Sequence, residues 1–140
     1  MAPVLQDTMK QLLALVMFCE KVNIPFEVYT FTYEWGHATG MGYESYNEKK
    51  LQEDIFYIPN QFNLLNVLSS KNSRKVNNEQ METLFMIAGM YEMERYGNVP
   101  TAIQLSGTPL NESLVMLYKL IPEFQSKTGV EKVHTMVLTD

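Results

Sequence analysis

Two oxygen-bearing side chains stand out for chemistry in this chain. Thr108 lies at the head of a helix that opens Gly107-Thr108-Pro109-Leu110-Asn111-Glu112, and Asp140 follows the apolar, β-rich run Val133 to Thr139. If that run is a strand of a parallel sheet, the hydroxyl and the carboxylate both fall at the sheet's carboxyl edge, where open α/β folds bind ligands. Each residue also has an ordinary reading. A threonine ahead of proline is how many helices are capped, and an aspartate after a strand is often a solvated end. Other constellations are missing: His37 and His134 have no Cys or His at ligand spacing. No Ser-His-Asp or Cys-His arrangement is suggested, and no phosphate-cradling glycine loop follows a convincing strand. Catalysis by this chain is not expected.

The elements that must position these residues can be read from periodicity. Leu5, Met9, Leu12, Leu13, Val16 and Cys19 recur at three and four, which predicts a first helix closed by Asn23 and Pro25. Phe26 to Thr32 alternates with period two and carries bulky residues on both sides, which predicts a strand covered on two faces. Residues 34–54, with Gly36, Gly40 and Gly42 among tyrosines, glutamates and lysines, read as a long excursion. Ile55 to Ile58 reads as a short edge strand, and Asn60 to Leu68 as a short helix with Phe62, Leu65 and Leu68 inward. After a polar linker, Asn77 and Gln80 resemble a capping box for a helix carrying Met81, Leu84, Phe85, Ala88 and Tyr91, stopped by Gly97. Met86, Met90 and Met93 form an alternative, partner-facing stripe on it. Val99 to Leu105 is a weak strand candidate. The helix from Thr108 presents Leu110, Leu114, Leu117, Ile121 and Phe124 on one face, with Pro122 bending it and Gly129 ending it.

Length and charge bound the function. The chain has 140 residues, 46% hydrophobic and 19% charged, which suits one domain with a core of its own. A net charge of −5 and a pI near 5.0 give no general pull on nucleic acid or anionic membrane. No apolar run approaches a membrane span, and no signal-peptide pattern opens the chain. The chain is therefore expected to be cytoplasmic, with no nucleic-acid or membrane partner. Cys19, the single cysteine, excludes an intrachain disulfide. Trp35, Tyr43 and Tyr46 beside Lys49 and Lys50 suggest a stacking surface, but Glu34, Glu44 and Glu48 weigh against it.

Three stretches carry a resemblance: Gln11-Leu12-Leu13-Ala14-Leu15-Val16 leading to Ile24-Pro25-Phe26-Glu27-Val28-Tyr29, then Gly107 to Glu112, then Val137-Leu138-Thr139-Asp140. Together they resemble the von Willebrand factor A-type domain of cobaltochelatase-like and related tailed-phage proteins, over most of the chain outside the middle excursion. The resemblance implies an α/β fold: a Rossmann-like three-layer sandwich with a mostly parallel sheet flanked by helices. It also implies a Mg²⁺ or Mn²⁺ adhesion site in which Thr108 and Asp140 match two of three ligand loops. The family's first loop, Asp-x-Ser-x-Ser, has no counterpart here, nor has the central strand before it. Residues 1–140 are thus expected to be a single partial domain, with Met1 internal to a longer protein. Magnesium prefers about six oxygens in octahedral array, so this chain alone is expected to bind it weakly or not at all.

By the same resemblance, the expected function is a protein-interaction module working with a ring-forming AAA+ ATPase, in the host cytoplasm if the chain is phage-encoded. A scaffolding or structural phage protein that has lost the metal site, and a non-catalytic subunit of a chelatase, are the alternatives.

Overall fold

A computed structural model describes residues 2–33, 56, 58, 62–93, 99–100, 103–104 and 107–139. The excursion at 34–54, half of the edge-strand candidate at 55–58, Gly97 and Asp140 lie outside them. The described elements run α1 (Ala2–Val22), β1 (Glu27–Tyr33), β2 (Phe62–Ser69), α2 (Arg74–Glu92) and α3 (Leu110–Thr128).

Helix α1 forms where the three-and-four spacing places it. It ends because Asn23 turns left-handed, at φ 56°, and Ile24 donates its N–H back to the Cys19 carbonyl at 2.9 Å. Asparagine is among the few residues that tolerate that conformation. Strand β1 follows at once. It pairs antiparallel with β2, Tyr33 opposite Phe62 and Tyr29 opposite Asn66, with a bulge between Val28 and Tyr29 in the pairing. The bulge adds a residue to β2, and so Val67 and Leu68, adjacent in sequence, both join the core.

That core is one cluster. Val16 of α1, Leu68 of β2 and Leu84 of α2 are buried at its centre, with Met9, Leu12, Leu13, Phe26, Val28, Val67 and Met81 packed around them. Helix α2 starts earlier than a capping box at Asn77 predicts, because Ser73 is the cap and accepts the Val76 N–H at 3.4 Å. Asn77, released from capping, is buried in the interior. Its side-chain amide donates to Glu20 of α1 at 2.8 Å and to the Ser69 carbonyl of β2 at 3.0 Å, and its oxygen accepts from Asn72 at 3.2 Å. One amide therefore ties a helix, a strand and a turn together.

The expected Rossmann-like sandwich with a mostly parallel sheet is not formed by the described residues. They form three helices and a two-stranded antiparallel sheet. Two local readings failed to produce this difference in advance. Phe62, Leu65 and Leu68 repeat at three, which mimics a helix, yet pairing with β1 makes 62–69 a strand. Val133 to Thr139, whose β-rich composition predicts a strand, belongs to no helix or strand. Without it there is no parallel carboxyl edge in the described structure.

Candidate interaction surface

The segment Gly107 to Glu112, read as a ligand loop, seats α3 on β1. Gly107 has φ 111°, and a Cβ there would lie 3.1 Å from Cδ2 of Tyr33. The Tyr33 hydroxyl donates to Glu112 Oε1 at 2.8 Å. Replacing Gly107 by alanine combines an unfavourable positive φ with a crowded ring, and is expected to cost about 1–2 kcal/mol in equilibrium urea unfolding. Beside this contact, Thr32 Oγ1 donates to the Gln104 carbonyl at 2.8 Å, anchoring the approach to α3.

Thr108 itself is exposed, and its carbonyl accepts the Leu110 N–H at 2.7 Å. It does not cap the helix: the cap position is held by Pro109, which makes no side-chain hydrogen bond. Asp140, its expected partner in a Mg²⁺ or Mn²⁺ site, lies outside the described residues. Among the described residues, no group of three or more His, Cys, Asp or Glu side chains could hold a metal ion. Thr108 and Asp140 would share one rim if 133–139 were a parallel strand, and those residues belong to no helix or strand.

The aromatic face of β1 is electrostatically distinctive. Burial raises the phenol of Tyr29 above its ordinary 10.0, and the hydrogen bond it donates to Glu27 at 2.7 Å adds to the rise. The negative charges of Glu27 and of Glu123 on α3 act in the same sense, while Asn66 opposes them. The fold thus favours the neutral phenol. The associated stability is complete below the unfolded-state value near 10.0 and is lost as pH rises through the raised value. Alkaline unfolding titrations should therefore show wild type losing stability relative to Tyr29→Phe as pH rises from about 10.0 to the raised value, with no further relative loss above it; parallel curves for the two proteins throughout would contradict the assignment.

What α3 leaves uncovered is apolar. Leu114, Leu117, Tyr118, Ile121 and Pro122 line a shallow groove of about 260 Å³ on it. Tyr118 is 89% exposed and Leu114 44%. Pro122 lies within the helix, where it has no N–H to offer the Tyr118 carbonyl. Leu114, Leu117 and Ile121, which periodicity puts on one face of the helix, line this groove together. Small-molecule sites typically run from about 300 Å³ and carry a few placed polar groups. This groove is smaller, open, and has only the Tyr118 hydroxyl. It matches one or two apolar side chains of another polypeptide.

A second apolar stripe lies on α1. Val4, Leu15, Phe18 and Val22 fall together on a helical wheel, well away from Met9, Leu12 and Val16, and all four are exposed. Met86 and Phe85 of α2 and Met93 at its C-cap are also exposed. No described helix is long and apolar enough to cross a membrane, so these faces are not spans. No family model, curated protein or solved structure matches this chain.

Proposed function

We propose that this chain is a non-catalytic protein-interaction module that docks a partner polypeptide on the apolar face of α3. The observation that carries the reading is the groove of Leu114, Leu117, Tyr118, Ile121 and Pro122 on α3, with Tyr118 and Leu114 exposed. Aromatic anchors supply most of the energy of such contacts, and Tyr118 has an apolar ring with a polar tip that suits the role. The exposed stripe on α1 extends the apolar surface the chain offers.

The resemblance supplies a class of partner for the first binding test, a ring-forming AAA+ ATPase; the surface itself supplies only the chemistry of the contact. A metal-dependent form of adhesion would need Thr108 and Asp140 on one rim.

Tyr118→Glu separates association from folding. The side chain is 89% exposed, so the variant should unfold within about 0.5 kcal/mol of wild type. Loss of an anchor of this kind costs about 2 kcal/mol of binding or more, roughly a thirtyfold weaker complex. Pull-downs from the source cell with the immobilised chain should retain a specific partner that Tyr118→Glu loses. Equal retention by the two proteins would remove α3 from the interface.

A further inference from the structure

We infer that α1 is a dimer interface: its exposed face pairs antiparallel with the same face of α1 in a second copy of this chain, across a two-fold axis at the middle of the helix. This goes beyond the α3 groove and does not depend on it.

The face has the spacing of a coiled-coil seam. Val4, Thr8, Gln11, Leu15, Phe18 and Val22 alternate by four and three along α1, the repeat that lets one helix lie along another. The apolar members are exposed, Phe18 by 54% and Leu15 by 40%. The contribution of α1 to the core comes from its opposite side, where Met9, Leu12, Leu13 and Val16 join Leu68 and Leu84. One apolar face is enough to hold a helix on its own core. A helix that is apolar on two opposite faces has a second surface to bury.

Charge complementarity selects the occupant and its direction. The residues just before Thr8, Leu15 and Val22 flank the seam, and they are Asp7, Ala14 and Lys21, all exposed. In an antiparallel pair Val4 meets Val22 of the second copy, Thr8 meets Phe18 and Gln11 meets Leu15, and equivalent flanking positions come side by side. Asp7 then faces Lys21 of the second copy, Lys21 faces Asp7, and the small Ala14 meets its own equivalent at the centre. A parallel pair would set Asp7 against Leu12 instead, with no charge to match. Within its own helix Asp7 accepts from Lys10 through Oδ1 at 3.3 Å, and Oδ2 is left for the second copy.

Both halves of this complement lie on one helix, so each copy brings the carboxylate and the ammonium, and the contact is made twice about the axis. Thr8 and Gln11 are polar members of the seam. Polar seam residues specify register at a cost in stability, which gives a dimer that dissociates on dilution.

Sedimentation equilibrium of the whole chain tests this. Wild type should approach a dimer as concentration rises. Phe18→Glu sets a carboxylate in the seam at an exposed position, so it should keep the helical circular dichroism of wild type and sediment as a monomer. Asp7→Lys sets two ammonium groups together twice and should weaken the dimer about tenfold; adding Lys21→Asp to it reverses both charges and should restore the dimer. These two exposed sites test the interface even if Phe18→Glu fails to fold. A wild-type monomer, a folded Phe18→Glu dimer, or an Asp7→Lys loss that Lys21→Asp does not restore would each overturn the inference. Tyr118→Glu should still dimerise, which separates this interface from the α3 groove; loss of the dimer in that variant would move the interface to α3 and also overturn the inference.

Discussion

Asn77→Asp is expected to destabilise the chain by about 3–5 kcal/mol at neutral pH, the cost of a buried charge that keeps the Asn72 amide as a donor but faces the Glu20 carboxylate with no cation beside it among the described contacts. The reason is in the donors. Asn77 is 1% exposed, and its amide N–H groups go to the Glu20 carboxylate and to the Ser69 carbonyl. An aspartate has no N–H to give either acceptor. It sets a second carboxylate against Glu20 in a place from which water is excluded. Burial and the neighbouring negative charge both raise the pKa of the introduced acid. The sign of the pH dependence follows: the variant recovers stability as pH falls through that raised value, where the carboxyl is protonated and can donate. Equilibrium unfolding of both proteins across the acidic range checks it. A deficit below about 1 kcal/mol, or one that does not narrow on acidification, would show that Asn77 does not join α1, β2 and α2 in the way its bonds indicate.

Leu68→Ala should cost about 3 kcal/mol, within the range typical of buried leucine truncations. Leu68 has no exposed surface, and it lies between Val16 of α1 and Leu84 of α2, the points at which two helices meet the sheet. Removing its side chain opens a cavity at the junction of all three elements, and rigid neighbours on three sides limit how far it can collapse. The contrast with Leu114→Ala makes the prediction sharp. Leu114 is 44% exposed in the groove of α3, and its truncation should cost well under about 1 kcal/mol in the isolated chain. Comparable losses for the two variants in urea unfolding would mean that the groove is part of the core.

Local signals in the sequence located three helices and one strand, and failed where tertiary pairing decides. The spacing of Met9, Leu12, Leu13 and Val16 was sufficient for α1, because a long amphipathic period has few competing explanations. Gly129, left-handed at φ 75°, closes α3 as its residue type predicts. By contrast, Phe62, Leu65 and Leu68 satisfy a helical spacing and a bulged strand equally well over so short a run. Only the partner β1 resolves them, and a partner is not written in the segment. Asn77 looked like a helix cap because its type and its distance from Gln80 match one. Ser73, four residues earlier, does the capping, and Asn77 instead bridges to residues far away in sequence.

The candidate site was less legible. Thr108 and Asp140 drew attention as oxygen ligands under an assumed parallel sheet, and the antiparallel pairing of β1 with β2 removes that assumption. The groove on α3 was present in the sequence as a clean apolar face. What could not be read was that Leu114 and Tyr118 on that side of the helix are exposed. Periodicity reports which residues share a side of a helix, and it is silent on whether that side meets the chain's own core or another molecule.

Site-specific photo-crosslinking from position 118 in the intact chain, inside the source cell, tests the central claim most directly. With a benzophenone side chain in place of Tyr118, the account predicts a crosslink to a distinct partner protein, and none when the same group replaces Lys75, which is exposed on the polar surface of α2. Crosslinks that map only to this chain's own α1, β1 or β2 would show that the groove closes on itself and would contradict the account.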